Sequence, residues 1–95
     1  MSYWVYILAH KKGGAIYIGM TRDLSQRLYQ HRCGHHSSHT QRYSIHRLVY
    51  AEEHEDLADA QVREHRLKRW RRAWKEALIE SVNPEWNDLS PAHSE

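Results

Sequence analysis

A chain of 95 residues, 40% of them hydrophobic, has room for one domain spanning 1–95, with a single core that hides roughly two-thirds of the unfolded surface. Its lone cysteine, Cys33, excludes an internal disulfide and a zinc knuckle, and the lack of any run of about 20 apolar residues excludes a membrane-spanning helix. The net charge of +2 conceals segregation: residues 1–50 carry seven Lys/Arg against Asp23 alone, 51–62 five acids, 63–75 seven bases against Glu64, and 76–95 five acids. Brought together, the two basic blocks would form a face that attracts phosphate; spread over helices, they are solvated surface. The start, Met1-Ser2-Tyr3-Trp4, has neither a basic leader nor a long apolar run, so a soluble, cytoplasmic protein is expected.

In chain order, Tyr3 to Ala9 and Ala15 to Met20 are dense in aromatic and β-branched residues and flank Lys11-Lys12-Gly13-Gly14. That pattern predicts a β-hairpin, since glycine accepts positive φ in the turn without steric cost. The side-chain period of two then lets Tyr6 and Tyr17 act together as cross-strand neighbours. Thr21 or Asp23 supplies the N-cap oxygen of a helix running to His31 or Arg32. Leu24 and Leu28 form its core stripe. Arg27 and His31, also four apart, lie beside that stripe and can project toward the sheet. Without the tyrosines, these two would be read as an arginine snorkelling over the core edge and a cation favoured by the helix dipole.

Cys33 to Tyr43 reads as a polar loop near the partner. Its histidines His35, His36 and His39 invite a metal reading, but no cysteine or carboxylate is close by in sequence to complete a site. Ile45 to Glu53 is the third predicted strand. A helix follows from Glu55 or Asp56, with Leu57, Ala60, Glu64 and Leu67 on one face. A carboxylate at an apolar seam is costly unless paired or bound to a cation, so Glu64 is either a partner of Lys68 or a metal ligand. Past Leu67 the apolar stripe shifts to Trp70, Trp74, Ala77 and Leu78, which predicts two helices meeting near Arg69 to Arg72, or one that bends, with both tryptophans in the core. The helix should stop before Asn83-Pro84. Glu85 to Leu89 then packs back on Trp86, the ordered core runs over about 3–89, and 90–95 is a frayed tail.

Val5-Tyr6-Ile7 followed by Tyr17-Ile18-Gly19, with an arginine ten residues beyond the second tyrosine, resembles the GIY-YIG nuclease domain, specifically its small stand-alone members, which are similar to the N-terminal part of a bacterial excinuclease. The first motif lacks its glycine. The resemblance implies an α+β fold, a small three-stranded antiparallel-type sheet flanked by helices in the order β-β-α-β-α-α. It implies a divalent-metal-dependent DNA endonuclease, active in DNA repair or recombination, with Tyr6, Tyr17, Arg27, His31 and Asn87 catalytic and Glu64 holding one Mg²⁺ or Mn²⁺. Asn83 competes with Asn87 for the last role. The implied partner is duplex or branched DNA, with no small-molecule cofactor and no membrane; Arg22, Arg27, His39, Arg42, Arg63 and Lys68 are the expected contacts. The chemistry suits these residue types: phosphodiester hydrolysis needs an activated water, a cation for developing charge, and donors on the non-bridging oxygens. The alternatives are a nucleic-acid-binding module with little turnover on the same scaffold, and a protein-interaction domain using the charge blocks. Oligomeric state is not legible.

Overall fold

The computed structural model describes residues 2–32 and 45–90. Strands β1 (Tyr3–Ala9), β2 (Ile16–Thr21) and β3 (Arg47–His54) form one antiparallel sheet in the order β2-β1-β3; helices α1 (Leu24–Arg32), α2 (Leu57–Arg69) and α3 (Arg72–Val82) complete the series β-β-α-β-α-α. The central strand explains an unbroken apolar run: Val5 through Ala9 are all fully buried because both faces of β1 are covered. Val5, Ile7 and Ala9 face the side that carries Ala60, Leu67, Ile79 and Trp86, while Tyr6 and Leu8 face Leu28, Ile45 and Leu48 on the α1 side.

The hairpin closes through Gly14 N donating to Lys11 O at 2.9 Å, with Gly13 at φ +75°, a conformation that disfavours any side chain. Asp23 caps α1, its Oδ1 accepting from Gln26 N at 3.0 Å, and Thr21 Oγ1 braces the approach by accepting from Asp23 N at 3.1 Å. Asp56 does the same for α2 through Ala58 N at 3.2 Å.

A register shift between Ile7 and Leu8 against β3 inserts Val49 as an extra residue, so that Val49 and Tyr50 both belong to the α2 and α3 core. Trp70 and Arg71, with ψ of 149° and 156°, are both extended and separate α2 from α3, so two helices meet where the apolar stripe shifts. Two expectations give way here. Trp74 is 51% exposed rather than core, because those extended residues re-aim α3 and break the helical spacing that would align it with Trp70. Leu57, in the first turn of α2, is exposed as well, leaving Ala60 and Leu67 to make the buried face.

After α3 the chain turns through Asn83-Pro84-Glu85-Trp86. Trp86 is left-handed at φ +56°, a strained conformation for a bulky residue, and is held there by complete burial and by its Nε1 donating to Glu80 at 2.9 Å. Leu89 N donates to Leu48 O at 2.7 Å, laying this segment against β3. Among the described residues no helix is long and apolar enough to cross a membrane.

Candidate active site

Register decides what meets on the α1 side of the sheet. Tyr6 on β1 lies directly opposite Gly19 on β2, and Tyr17 lies one pleat along, opposite Leu8. Gly19 is the bed for the Tyr6 ring: a Cβ added there would stand 2.6 Å from Tyr6 Cζ and 3.0 Å from Tyr17 Cε2. The phenol therefore lies across β2 and carries its hydroxyl toward that edge of the sheet. There α1 delivers His31, fully buried, whose Nε2 is 3.1 Å from Tyr6 Oη. Tyr17 stacks edge-on to the same imidazole with centroids 5.1 Å apart, and the two tyrosine rings are 6.4 Å apart.

The electrostatics of Tyr6 bring in two more residues. Burial pushes its hydroxyl well above the ordinary phenol range, and Tyr17 adds to the rise; Arg27 opposes it by charge and by a hydrogen bond, and Glu64 raises it further. Arg27 comes from α1 and Glu64 from α2, so with Tyr17 of β2 residues of three elements act on the one oxygen that β1 supplies. The outcome of that contest is a neutral phenol at physiological pH, which makes Tyr6 a hydrogen-bonding group rather than a base in the free protein. The cluster is layered: Tyr6 and His31 are buried, whereas Tyr17, Arg27 and Glu64 are half-buried and reach solvent.

Glu64 keeps the company expected of either of its readings. Its Oε2 is 3.1 Å from Lys68 Nζ, yet it also acts on Tyr6. Among the described residues no three His, Cys, Asp or Glu gather as a metal cage. A single carboxylate beside a solvent-open face still suits a hard divalent cation, which takes most of its oxygens from water and phosphate.

Of the remaining expected contacts, Arg22 and Arg63 have partners of their own. Arg22 is exposed, 6.0 Å from the Tyr3 ring centroid. Arg63 is bound by Glu52, with Nε donating at 2.8 Å and Nη2 at 3.3 Å, and would have to leave that pair to meet phosphate. His39 and Arg42, with the whole histidine-bearing loop, lie outside the described residues.

The two asparagines separate cleanly. Asn83 is buried; its Nδ2 donates to Val49 O at 3.1 Å and Asn87 O at 2.9 Å, and its Oδ1 accepts from Asn87 N at 3.0 Å. It is the clamp of the final turn. Asn87 is exposed and its side chain makes no hydrogen bond to a described residue. Asp88, next along, pairs with Arg32 at 3.4 Å, which ties this segment to the end of α1 one residue beyond His31. Sequence reasoning did not single out Gly19 as the floor of the site, although its place directly across the hairpin from a tyrosine was the signal.

The family model of the GIY-YIG catalytic domain matches residues 2–77, which include Tyr6, Tyr17, Arg27, His31 and Glu64 and stop short of both asparagines. No curated protein matches the chain significantly. Among solved structures, a UPF0213 protein from Bacillus halodurans, determined by solution NMR, is similar at 28% identity over 97% of this chain and 100% of its own, with a TM-score of 0.58.

Proposed function

The chain belongs to the GIY-YIG catalytic-domain family, a family of nucleases, and from that premise we propose that it is a divalent-metal-dependent endonuclease that hydrolyses DNA phosphodiesters. The observation that carries the proposal is the convergence of His31, Tyr17, Arg27 and Glu64 on the Tyr6 hydroxyl. Arg27 donates to the non-bridging oxygens of the scissile phosphate, where a guanidinium can form two parallel bonds. Tyr17, the phenol with access to solvent, orients the attacking water. Tyr6 and His31 beneath it take up the water's proton: the water gives it to Tyr6 Oη while the phenolic proton passes to His31 Nε2, imidazole being the acceptor suited to neutral pH. As the water oxygen bonds to phosphorus, the bond to the leaving sugar oxygen breaks, and that oxygen takes a proton from solvent. Glu64 holds one Mg²⁺ or Mn²⁺, which when bound supplies positive charge against the negative charge that develops on phosphate. Asn87 reaches the same phosphate from the segment tied to α1, and Arg22, His39, Arg42 and Lys68 contact the flanking backbone. The reading puts the protein's work in the cytoplasm, in DNA repair or recombination.

The test is cleavage of single-stranded, duplex, branched and nicked DNA by the wild type and by Glu64→Gln, with Mg²⁺ or Mn²⁺ and after chelation. Lys68 is half-exposed and its pairing with Glu64 contributes at most about 1 kcal/mol, so the variant should keep its stability to within that amount and still bind DNA. Its turnover should fall by about 100-fold or more, the usual scale for removing electrostatic stabilisation at a reacting phosphate. A variant that cuts as well as its parent would remove Glu64 from the mechanism, and a wild type that binds DNA but cuts none of the four substrates would make the chain a binding module.

A further inference from the structure

Trp74 is among the largest side chains of the protein and stands half-exposed at the junction of α2 and α3. It is not loose. The Arg71 guanidinium lies 4.7 Å from its ring centroid, and Trp70 meets it edge to face with centroids 6.0 Å apart at 89°. Trp70 packs on the core and carries Arg63 at 5.3 Å, and Arg63 is itself fixed by Glu52. A chain of contacts, cation on ring, ring on ring and ring on cation, thus runs from the part-buried Glu52–Arg63 pair through Trp70 to the exposed indole and Arg71. Residues 63–75 surround it with seven bases and one acid, and Arg66, Arg69 and Arg71 are exposed.

We propose that Trp74 with Arg71 is a stacking platform for unpaired bases of the DNA substrate, separate from the tyrosine site. This inference rests on the nuclease reading of that site and specifies the substrate as DNA with a single-stranded arm. A basic groove with aromatic side chains is the chemistry that holds single strands, the charges following the phosphates and the rings taking the bases. In an intact duplex the base faces are already stacked on one another, so a ring held at the surface has nothing to take. The charge balance disfavours an ordinary apolar protein partner for the same surface. Distance suits the assignment: Trp70, the C-cap of α2, is six residues beyond Glu64, about 9 Å of helical rise, and Trp74 meets it with ring centroids 6.0 Å apart, so the platform is within reach of a few nucleotides from Glu64.

The experiment is equilibrium binding of the full chain, in chelator so that nothing is cut, to three labelled DNAs: oligo-dT, a forked duplex with two single-stranded arms, and a blunt duplex with as many phosphates as the fork. Trp74→Ala should weaken binding to oligo-dT and to the fork by about 5- to 100-fold, and Trp74→Phe should restore most of it, because a phenyl ring still stacks. Blunt-duplex affinity should change less than about threefold, since phosphate contacts supply nearly all of it. A loss shared equally by the three DNAs, no loss in any, or a Trp74→Phe as weak as Trp74→Ala would overturn the platform while leaving the nuclease reading to the Glu64→Gln assay. Absence of wild-type binding to every DNA at low salt would overturn both. If Trp74→Ala instead converts a dimer to a monomer in sedimentation, the indole is a contact between copies of this chain and the proposal falls.

Discussion

At the scale of single residues, Asn83 and Asn87 show how burial separates two identical side chains four positions apart. The Asn83 amide makes three hydrogen bonds in this turn, and Asn83→Ala would leave Val49 O, Asn87 O and Asn87 N without that partner. Leaving buried backbone groups unsatisfied costs about 1–3 kcal/mol each at most, and partial access of water lowers the sum. Asn83→Ala should therefore lose about 2–3 kcal/mol in chemical denaturation, and any fall in cleavage should follow the fall in folded fraction. Asn87→Ala should leave stability within about 0.5 kcal/mol, as surface substitutions do, while cleavage per folded molecule drops. The reverse pattern, with Asn83→Ala folded but inactive, would move the functional role to Asn83. Gly19 makes a related point at the site itself, because the missing Cβ is what lets the Tyr6 ring lie down toward His31.

Between elements, the join of β3 to α2 rests on one carboxylate. Glu52 accepts from Tyr50 Oη at 2.5 Å, His54 Nε2 approaches it at 2.7 Å, and Arg63 Nε donates to it at 2.8 Å. Burial works to raise its pKa, but hydrogen bonds from Arg63, Tyr50 and His54 outweigh that and hold the carboxyl below its usual range. The same burial, with the adjacent carboxylate, pushes the Tyr50 hydroxyl up to about 12. The sign for Glu52 follows from linkage: a folded-state pKa below the unfolded value gives stability that is present above the unfolded pKa, about 4.3, and is lost as pH falls through the depressed folded value. Glu52→Gln should thus destabilise the protein by about 1–3 kcal/mol at pH 7, and the gap to wild type should shrink below about pH 4. Urea denaturation of both proteins at the two pH values checks this; an equal gap at both would mean that the carboxylate charge does not join these elements. Arg63, which Glu52 anchors, also supports Trp70, so the same pair holds the base of the exposed tryptophan.

Taken whole, the molecule spends part of its positive charge on itself. Lys12, Arg32, Arg63, Lys68 and Arg72 each pair with a carboxylate, whereas Arg66, Arg69 and Arg71 are exposed outside those pairs. Arg27 of the first basic block and Glu64, the one acid within the second, both act on Tyr6. DNA affinity should therefore fall with salt, with a slope of log K against log salt of roughly −3 to −5, corresponding to about four or five released counterions rather than one for every base in the chain. Titrations between about 50 and 200 mM salt measure the slope directly. A flat response would sink the phosphate-binding face, and a slope near about −10 would mean that the internal ion pairs open when DNA binds.

Much of this was fixed by local chemistry and so could be read along the chain. The strand Tyr3–Ala9 is bounded as its composition predicts, Asp23 and Asp56 cap helices, Asn83-Pro84 ends one, and Trp86 anchors the return, because each depends on neighbours within a few residues. The spacing of Tyr6, Tyr17, Arg27, His31 and Glu64 was legible in the same way as a family pattern. What tertiary structure alone decided was the partner of each group. Only strand register puts Gly19 under Tyr6, and only the packing of α1 against the sheet buries His31 with its Nε2 on that phenol. Sequence cannot show that Arg63 pairs with Glu52 across the β3–α2 gap, and Trp74 looked like core because two extended residues between helices leave no mark of proline or glycine. Contacts between residues far apart in sequence depend on how whole elements pack, and no local preference encodes them.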